Sequence, residues 1–260
     1  YTNFIQAKNG KLYGMTHGGG ASNSGVIFSF DPSTSTDTIV TSFDGTNGAY
    51  PQGSLIQASD SKLYGMTSAG GSSGAGVIFS FDPSSFTFTK LKDFNDSIGA
   101  SPNGSLIQAK DGKLYGMTSG GGSNGYGVIF SYDPSTSIYS KLKDFDTLTY
   151  NGYAYTNKSG GSPYGSLMQA RDGKLYGMTS QGGSRSEGVI FSFDLSSSTY
   201  KKLLDLADNY SRTFGDLIQA SDGKLYGMAG GGYGEGSEKK TVGDQTFPFS
   251  TIFSFDPSTS

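Results

Sequence analysis

The sequence predicts an all-β fold, a five-bladed β-propeller with four antiparallel strands in each blade. The tetrapeptide Leu-Tyr-Gly-Met recurs five times, and its glycine stands at Gly14, Gly65, Gly116, Gly177 and Gly227. The successive spacings are 51, 51, 61 and 50 residues. A unit of this length cannot bury its apolar faces alone, so neighbouring units are expected to stack.

Each repeat contains four short strand-like segments, A to D, which in the third repeat span 105–109, 113–118, 127–133 and 139–145. Asp-Gly or Asn-Gly between A and B predicts a type I′ hairpin, and Asp-Pro-Ser after C favours a turn. Segment C is apolar on both sides, which predicts burial on both faces. Segment D alternates lysines with other residues, as exposed sheet edges do, which predicts D outermost and A innermost. These lysines are Lys90, Lys92, Lys141, Lys143, Lys201 and Lys202.

The repeats are placed approximately at 1–53, 54–104, 105–165, 166–215 and 216–260, and the whole of 1–260 is expected to form one domain. The fifth repeat stops after segment C. The expected propeller therefore has 19 blade strands, and its last blade lacks an outer strand of its own.

Composition excludes several function classes. The 260 residues carry 19 basic and 22 acidic side chains, a net charge of −3, which argues against nucleic acid or an anionic membrane as partner. Cysteine is absent and there is one histidine, so thiolate and multi-histidine metal sites are excluded, and no cofactor is expected. No apolar run is long enough for a membrane span. The chain begins at Tyr1 without Met or signal peptide, which indicates a processed protein or an excised segment.

Function is expected where the repeats diverge. The D–A and B–C loops should share one end of the blades, and both long insertions, 149–163 and 234–249, fall in such loops. Tyrosine can stack on a sugar ring while asparagine bonds its hydroxyls. Alternatively, these tyrosines pack the loops onto the blades. The candidate ligand-binding residues here are Tyr150, Asn151, Tyr153, Tyr155 and Asn157, with Tyr126 and Tyr233 in other loops of the same end.

Residues that recur in every repeat are expected to be structural. The glutamines on segment A either line the channel or bond neighbouring backbones, and they are Gln6, Gln57, Gln108, Gln169 and Gln219. The aspartates before the C–D turn favour Asx-turn capping over a calcium site, and they are Asp31, Asp82, Asp133, Asp194 and Asp256. The tyrosines of segment B are assigned to the core between blades, and they are Tyr13, Tyr64, Tyr115, Tyr176 and Tyr226.

Two departures from the repeat are further ligand-binding candidates. His17 stands where Ser68, Ser119 and Ser180 stand in other repeats, and no nucleophile-elbow sequence accompanies it. Asp216 replaces a serine at the start of the fifth segment A, and with Glu187 and Asp244 it could supply a carboxylate pair for glycoside hydrolysis. A catalytic propeller is expected to break its repeat at several inner positions, whereas this one does so clearly at one.

The repeat resembles the Gloeobacter–Verrucomicrobia (GloVer) tandem repeat. The third copy shows that family's pattern at Pro102-Asn103-Gly104-Ser105-Leu106-Ile107-Gln108, Asp111-Gly112, Tyr115-Gly116, Thr118, Gly121-Gly122 and Gly127-Val128-Ile129-Phe130. The fifth copy departs most, with Ala229 in place of the threonine, and the first lacks the Pro-x-Gly lead-in. The resemblance implies a secreted or surface-attached bacterial protein and no settled activity.

These observations together favour a secreted, non-enzymatic binding module for glycan or cell-surface polymer, acting in adhesion. The alternatives are a structural spacer that contacts neighbouring protein domains and, third, a glycoside hydrolase or lyase that uses Asp216.

Overall fold

The structure is a computed structural model, and it describes residues 3–147, 149–150, 155–184, 186–206, 210–211, 215–231, 240–242, 245–247 and 250–257. The chain divides into two compact units, Tyr1–Asp144 and Phe145–Ser260. The assignment of 1–260 to a single domain stays a prediction.

The first unit consists of three four-stranded antiparallel sheets, one for each of the first three repeats. Their orders are β1-β2-β3-β4, β5-β6-β7-β8 and β9-β10-β11-β12, so segments A to D lie side by side as predicted. The strands are β1 Ile5–Gln6, β2 Leu12–Thr16, β3 Val26–Asp31, β4 Thr36–Ser42, β5 Ile56–Gln57, β6 Leu63–Thr67, β7 Val77–Asp82, β8 Thr87–Asp93, β9 Ile107–Gln108, β10 Leu114–Thr118, β11 Val128–Asp133 and β12 Ile138–Asp144.

The second unit holds the fourth and fifth repeats. Its strands are β13 Thr149–Tyr150, β14 Tyr155–Gly161, β15 Met168–Gln169, β16 Leu175–Met178, β17 Gln181–Gly183, β18 Val189–Asp194, β19 Thr199–Asp205, β20 Tyr210–Ser211, β21 Ile218–Gln219, β22 Leu225–Gly231, β23 Lys240–Val242, β24 Gln245–Phe247 and β25 Ser250–Phe255. The fourth repeat forms β15-β16-β18-β19. In the fifth, β22 pairs with β20, β21 and β25, and no described strand lies on the outer edge of β25. The absence of an outer strand from the last blade and the count of five blades in one ring both stay predictions.

The A–B hairpins differ from the predicted type. In the third repeat Ala109 N–H donates to Lys113 O and Gly112 N–H donates to Ala109 O, which encloses a three-residue loop. Gly112 has φ +83°, but Asp111 is not in the left-handed region. The turn is therefore a three-residue loop that closes on a left-handed residue, and the type I′ prediction is wrong. Segment A is also shorter than predicted, since only two of its five residues pair with segment B.

The core between successive repeats contains a repeated aromatic trio. Phe94, which follows β8, packs its ring 5.3 Å from Phe130 and 6.1 Å from Tyr139, centroid to centroid. The corresponding trios are Phe43 with Phe79 and Phe88, and Phe145 with Phe191 and Tyr200.

Phe130 also explains the invariant glycine of Leu-Tyr-Gly-Met, because a Cβ on Gly116 would stand 2.6 Å from the Phe130 Cζ. The apolar strand C is fully buried in the second, third and fourth repeats, as predicted.

Half of the strand-D lysines have a more specific role than edge protection. Lys90, Lys141 and Lys202 form ion pairs with Asp93, Asp144 and Asp205, three residues further along the same strands. Lys90 Nζ also donates to Thr46 O, in the loop that ends the preceding repeat, at 3.1 Å. Lys141 Nζ likewise donates to Ser97 O at 3.2 Å, so these two lysines tie their outer strands to the preceding repeat.

Candidate functional site

The B–C and D–A loops lie together at one end of the sheets, which we call the loop end. Ala49, in the D–A loop that joins the first repeat to the second, forms a bridge with Ala69 of the second B–C loop. Thr67 fastens the base of this B–C loop, because its hydroxyl donates to Ala69 O and accepts from Val77 N–H. The predicted convergence of the two loop types is thereby confirmed where the first repeat meets the second.

The insertion at 149–163 forms a sheet of its own at the loop end. Strand β14 pairs with β13 and with β17, which belongs to the B–C loop of the fourth repeat. Tyr150 lies on β13, whereas Tyr155 and Asn157 lie on β14. The structure describes only the backbone at these three positions. Asn151, Tyr153, Tyr233 and Asp244 lie outside the described residues, as does most of the insertion at 234–249.

His17, one of the departures from the repeat, meets Tyr50 at the loop end of the first unit. The imidazole of His17, in the first B–C loop, stacks on the ring of Tyr50, in the following D–A loop. The centroids are 5.1 Å apart and the planes differ by 23°. Both side chains are exposed, with 40% of the Tyr50 surface accessible. The result is an aromatic platform, defined as His17 and Tyr50, that faces solvent.

The backbone under the platform is held in a conformation that does not suit tyrosine. Tyr50 has φ +55°, and Ser101 and Ser162, its counterparts in the next two repeats, have φ +53° and +49°. A bulky residue in the left-handed region is uncommon. Hydrogen bonds fix it there, since Tyr50 N–H donates to Ser24 O and Tyr50 O accepts from the Ser68 hydroxyl. The scaffold thus needs this backbone conformation but gives no reason for an aromatic ring.

Polar groups lie beside the platform. The Ser68 hydroxyl donates to Tyr50 O at 2.7 Å, and the exposed Gln52 amide donates to Ser68 Oγ at 3.4 Å. Rings beside an amide and hydroxyls form the combination that sugars require, apolar contact together with hydrogen bonding. The sequence contained a signal for this pairing, because both His17 and Tyr50 stand where other repeats carry serine.

Two other aromatic residues, Tyr126 and Tyr164, are not part of this platform. Tyr126 is half-buried in the third B–C loop, where its backbone bridges Gly121. In the second unit, Tyr164 follows the first insertion and is 39% exposed.

Asp216 is occupied in a structural role. Its carboxylate accepts the backbone N–H of Ser166 at 2.5 Å. In the first unit, the hydroxyls of Ser54 and Ser105 accept the N–H groups of Asn3 and Ser54 at the same place. Asp216 therefore replaces a serine that links one repeat to the next. Of its two predicted carboxylate partners for hydrolysis, the structure describes Glu187 and not Asp244.

The recurring residues have the structural roles predicted for them. Gln57 Oε1 accepts Lys8 N–H of the preceding repeat, while its amide donates to Ser61 O. Asp82 accepts from both the backbone N–H and the hydroxyl of Ser84, and this hydroxyl holds the pKa of the carboxyl below its usual value. The Tyr64 ring is buried and its hydroxyl donates to Asp60. Burial, followed by the Asp60 carboxylate, raises the pKa of Tyr64.

A cleft of about 340 Å³ opens at the opposite, turn end, between the second and third repeats. It is lined by Ser59, Asp60, Gln108, Asp111, Gly112, Asp133, Pro134 and Ser135. Its three carboxylates accept hydrogen bonds from their own turns, from Lys62, Lys113 and Ser135 N–H groups. No group of three or more His, Asp or Glu side chains in the described part of the chain is arranged to hold a metal ion.

Among the described residues, no helical segment has the length and apolar character to cross a bilayer. The repeated four-stranded sheets define an all-β repeat protein, and solved structures with the same fold are β-propeller-like. TolB from Acinetobacter baumannii is 19% identical with a TM-score of 0.50, over 84% of this chain and 46% of TolB. The extracellular domain of the putative one component system BT4673 from B. thetaiotaomicron is 14% identical with a TM-score of 0.54, over 86% and 25%. A chain of the nidogen/laminin complex is 12% identical with a TM-score of 0.52, over 85% and 70%.

This chain thus spans less than half of the first two of these proteins. Its family is established by the repeat: the model of the Gloeobacter/Verrucomicrobia repeat matches residues 1–156, and the chain belongs to that family. No curated protein matches the chain.

Proposed function

We propose that this protein is a non-enzymatic binding module that takes glycan or cell-surface polymer at the aromatic platform of His17 and Tyr50. The observation that carries the proposal is that two residues which depart from the repeat stack on each other in solvent. Neither ring is needed by the scaffold, since serine occupies both positions in other repeats. Left-handed strain retained at a bulky side chain is typical of ligand-contact sites.

The chemistry of the platform favours a saccharide. The imidazole and phenol rings offer a flat apolar surface for the C–H face of a pyranose, and the nearby Gln52 amide offers a donor and an acceptor for its hydroxyls. The net charge of −3 argues against strongly anionic polymers as ligands. A secreted or surface location, which the family resemblance implies, and a role in adhesion complete the proposal.

The proposal is tested first by screening the whole chain on an array of neutral and amino-sugar oligosaccharides. The affinity of the best array glycan is then measured for Tyr50→Ser and His17→Ser. We expect each variant to bind roughly tenfold more weakly, because a lost stacking contact is worth about 0.5–1.5 kcal/mol beyond the lost area. The melting temperature of Tyr50→Ser should stay constant or rise, since serine is the residue that this backbone accepts elsewhere.

Phe86→Ser is the matched control. Phe86 is also an exposed aromatic residue in the left-handed region, with φ +56°, where the other C–D turns carry serine, but it lies at the turn end. The control should leave affinity unchanged. An array without hits, or equal losses in Phe86→Ser and Tyr50→Ser, would show that the platform is not the binding site.

A further inference from the structure

The fifth repeat presents an apolar surface to solvent, formed by Ile218, Met228 and Ile252, which we call the open face. Their exposed fractions are 64%, 58% and 73%. They lie on the three strands β21, β22 and β25, one on each. An exposed apolar patch that spans a whole sheet marks an interaction surface.

The same positions are covered in the first, second and fourth repeats. In the second repeat, Met66 and Ile78 are buried and Ile56 packs beside them, in one core cluster with side chains of the third repeat. The covering side chains of that repeat are Leu106, Leu114, Val128, Phe130 and Tyr132. The first and second repeats form the same junction, with Met15 and Ile27 against Leu55, Leu63, Val77, Phe79 and Phe81. Met178 and Ile190 meet Leu217 and Leu225 in the second unit.

The fifth repeat keeps the residues that other repeats use to hold their successor. Ile218, Met228 and Ile252 match Ile56, Met66 and Ile78 in type. Polar replacements would be expected on a surface designed to face water, as on the terminal repeats of stacked arrays.

The first repeat differs from the others on its opposite face, the one that receives a preceding repeat in the others. Asp37 stands in place of Phe88 and Ile39 in place of Lys90, while Phe4 stands in place of Leu55 and stays apolar. The side chains that reach back to a preceding repeat, such as Lys90 to Thr46 O, are therefore lost in the first repeat. The first repeat thus lacks the two side chains, at the positions of Phe88 and Lys90, that contact the preceding repeat from strand D.

We propose that the open face binds a further repeat unit of the type found in the second and third repeats, through its leucine, valine and aromatic side chains. The partner is defined by the junctions between successive repeats, in which leucine and aromatic side chains of one repeat cover the methionine and isoleucine of the repeat before it. The outer edge of β25, where no described strand lies, would accept the strand D that leads into such a unit.

The test extends the chain after Ser260 with a copy of residues 87–133, which continues the register because Ser260 corresponds to Phe86. Since the chain contains no cysteine, Met228→Cys introduces one thiol whose labelling rate reports cover of the open face. In the unextended chain this thiol should react rapidly. In the extended chain labelling should slow by roughly tenfold or more, towards the rate of Met66→Cys, which marks a covered position.

The control extension carries Leu106→Asp and Phe130→Asp in the appended copy, and it should leave labelling fast. Slow labelling of Met66→Cys in each background confirms that the second and third repeats are folded. Three results would overturn the proposal: unchanged labelling in the extended chain, slow labelling of Met228→Cys in dilute unextended chain, or protection that increases with protein concentration. The second would mean that the chain covers the face itself, and the third that a second copy does.

Discussion

Replacement of Phe94 by alanine tests the junction between the second and third repeats. The side chain is fully buried, and its ring contacts Phe130 and Tyr139 edge-on. Truncation of a buried phenylalanine costs about 3–5 kcal/mol, through lost transfer free energy and the cavity that remains. Phe94→Leu should cost about 1–2 kcal/mol, since it retains most of the volume and loses mainly the ring contacts. Leu206 fills the corresponding place in the fourth repeat and is buried there.

The free energy of unfolding is measured by urea denaturation, followed by far-ultraviolet circular dichroism and by tyrosine fluorescence, since the chain has no tryptophan. Phe86→Ala is the control, because Phe86 is 56% exposed and contacts only the Phe81 ring among the described aromatic pairs. It should cost less than about 1 kcal/mol. Equal destabilisation by Phe94→Ala and Phe86→Ala would refute the claim that the aromatic trio holds the repeats together.

Two further predictions concern the glycine and the tyrosine of strand B. Gly116→Ala should lower the free energy of unfolding by about 1–3 kcal/mol, because its Cβ would collide with the buried Phe130 ring. The control is Gly215→Ala, whose Cβ would meet nothing closer than 3.7 Å and which should change the free energy of unfolding by less than about 0.5 kcal/mol. Equal effects in the two variants would contradict the steric explanation. Burial and a neighbouring aspartate raise the pKa of Tyr115 and Tyr176, so stability should be complete below about pH 10 and fall above it, as the unfolded chain ionises first. A spectroscopic titration of tyrosinate should therefore show a fraction that ionises only as circular dichroism is lost, and a single transition near pH 10 in the folded protein would contradict this.

The strand order could be predicted from the sequence because it depends on features that every repeat shares. Strand C reads as apolar on both sides, and every residue from its valine to its last aromatic residue is buried in the second and third repeats. The lysines of strand D similarly placed that strand at the edge. For the glutamines of segment A the sequence left two roles open, lining the channel or bonding neighbouring backbones, and Gln57 makes two backbone contacts.

Other features depended on local geometry that composition does not determine. Asp-Gly is compatible with both a two-residue and a three-residue hairpin, and the pairing of Ala109 with Lys113 selects the longer loop. The acidic partner of Lys90 is Asp93, three residues further along the same strand. Strict alternation would place the two side chains on opposite faces of the sheet, but the pairing of β7 with β8 shifts register at this point.

The candidate site was predicted only in part. His17 was singled out as a departure from the repeat, and the loop end was identified as the place for ligand contacts. Its stacking on Tyr50 could not be derived, because two loops separated by more than thirty residues meet only once the sheets are stacked. The tyrosines of the insertion were the preferred candidates instead. A sequence shows aromatic residues that are close along the chain, but not those that become neighbours only on folding.

The glutamine contacts have a consequence for how genes of this kind change length. Gln108 Oε1 accepts the N–H of Ser59, 49 residues earlier, and Ser105 Oγ accepts the N–H of Ser54, 51 residues earlier. Each bond joins one repeat to the next through residues that almost every copy encodes. Unequal crossing-over between two copies at matching codons would therefore delete or duplicate a whole unit and recreate the same bonds at the new junction. Selection on folding would tolerate such events, so alleles should differ by multiples of about 51 codons more readily than by single insertions in strands.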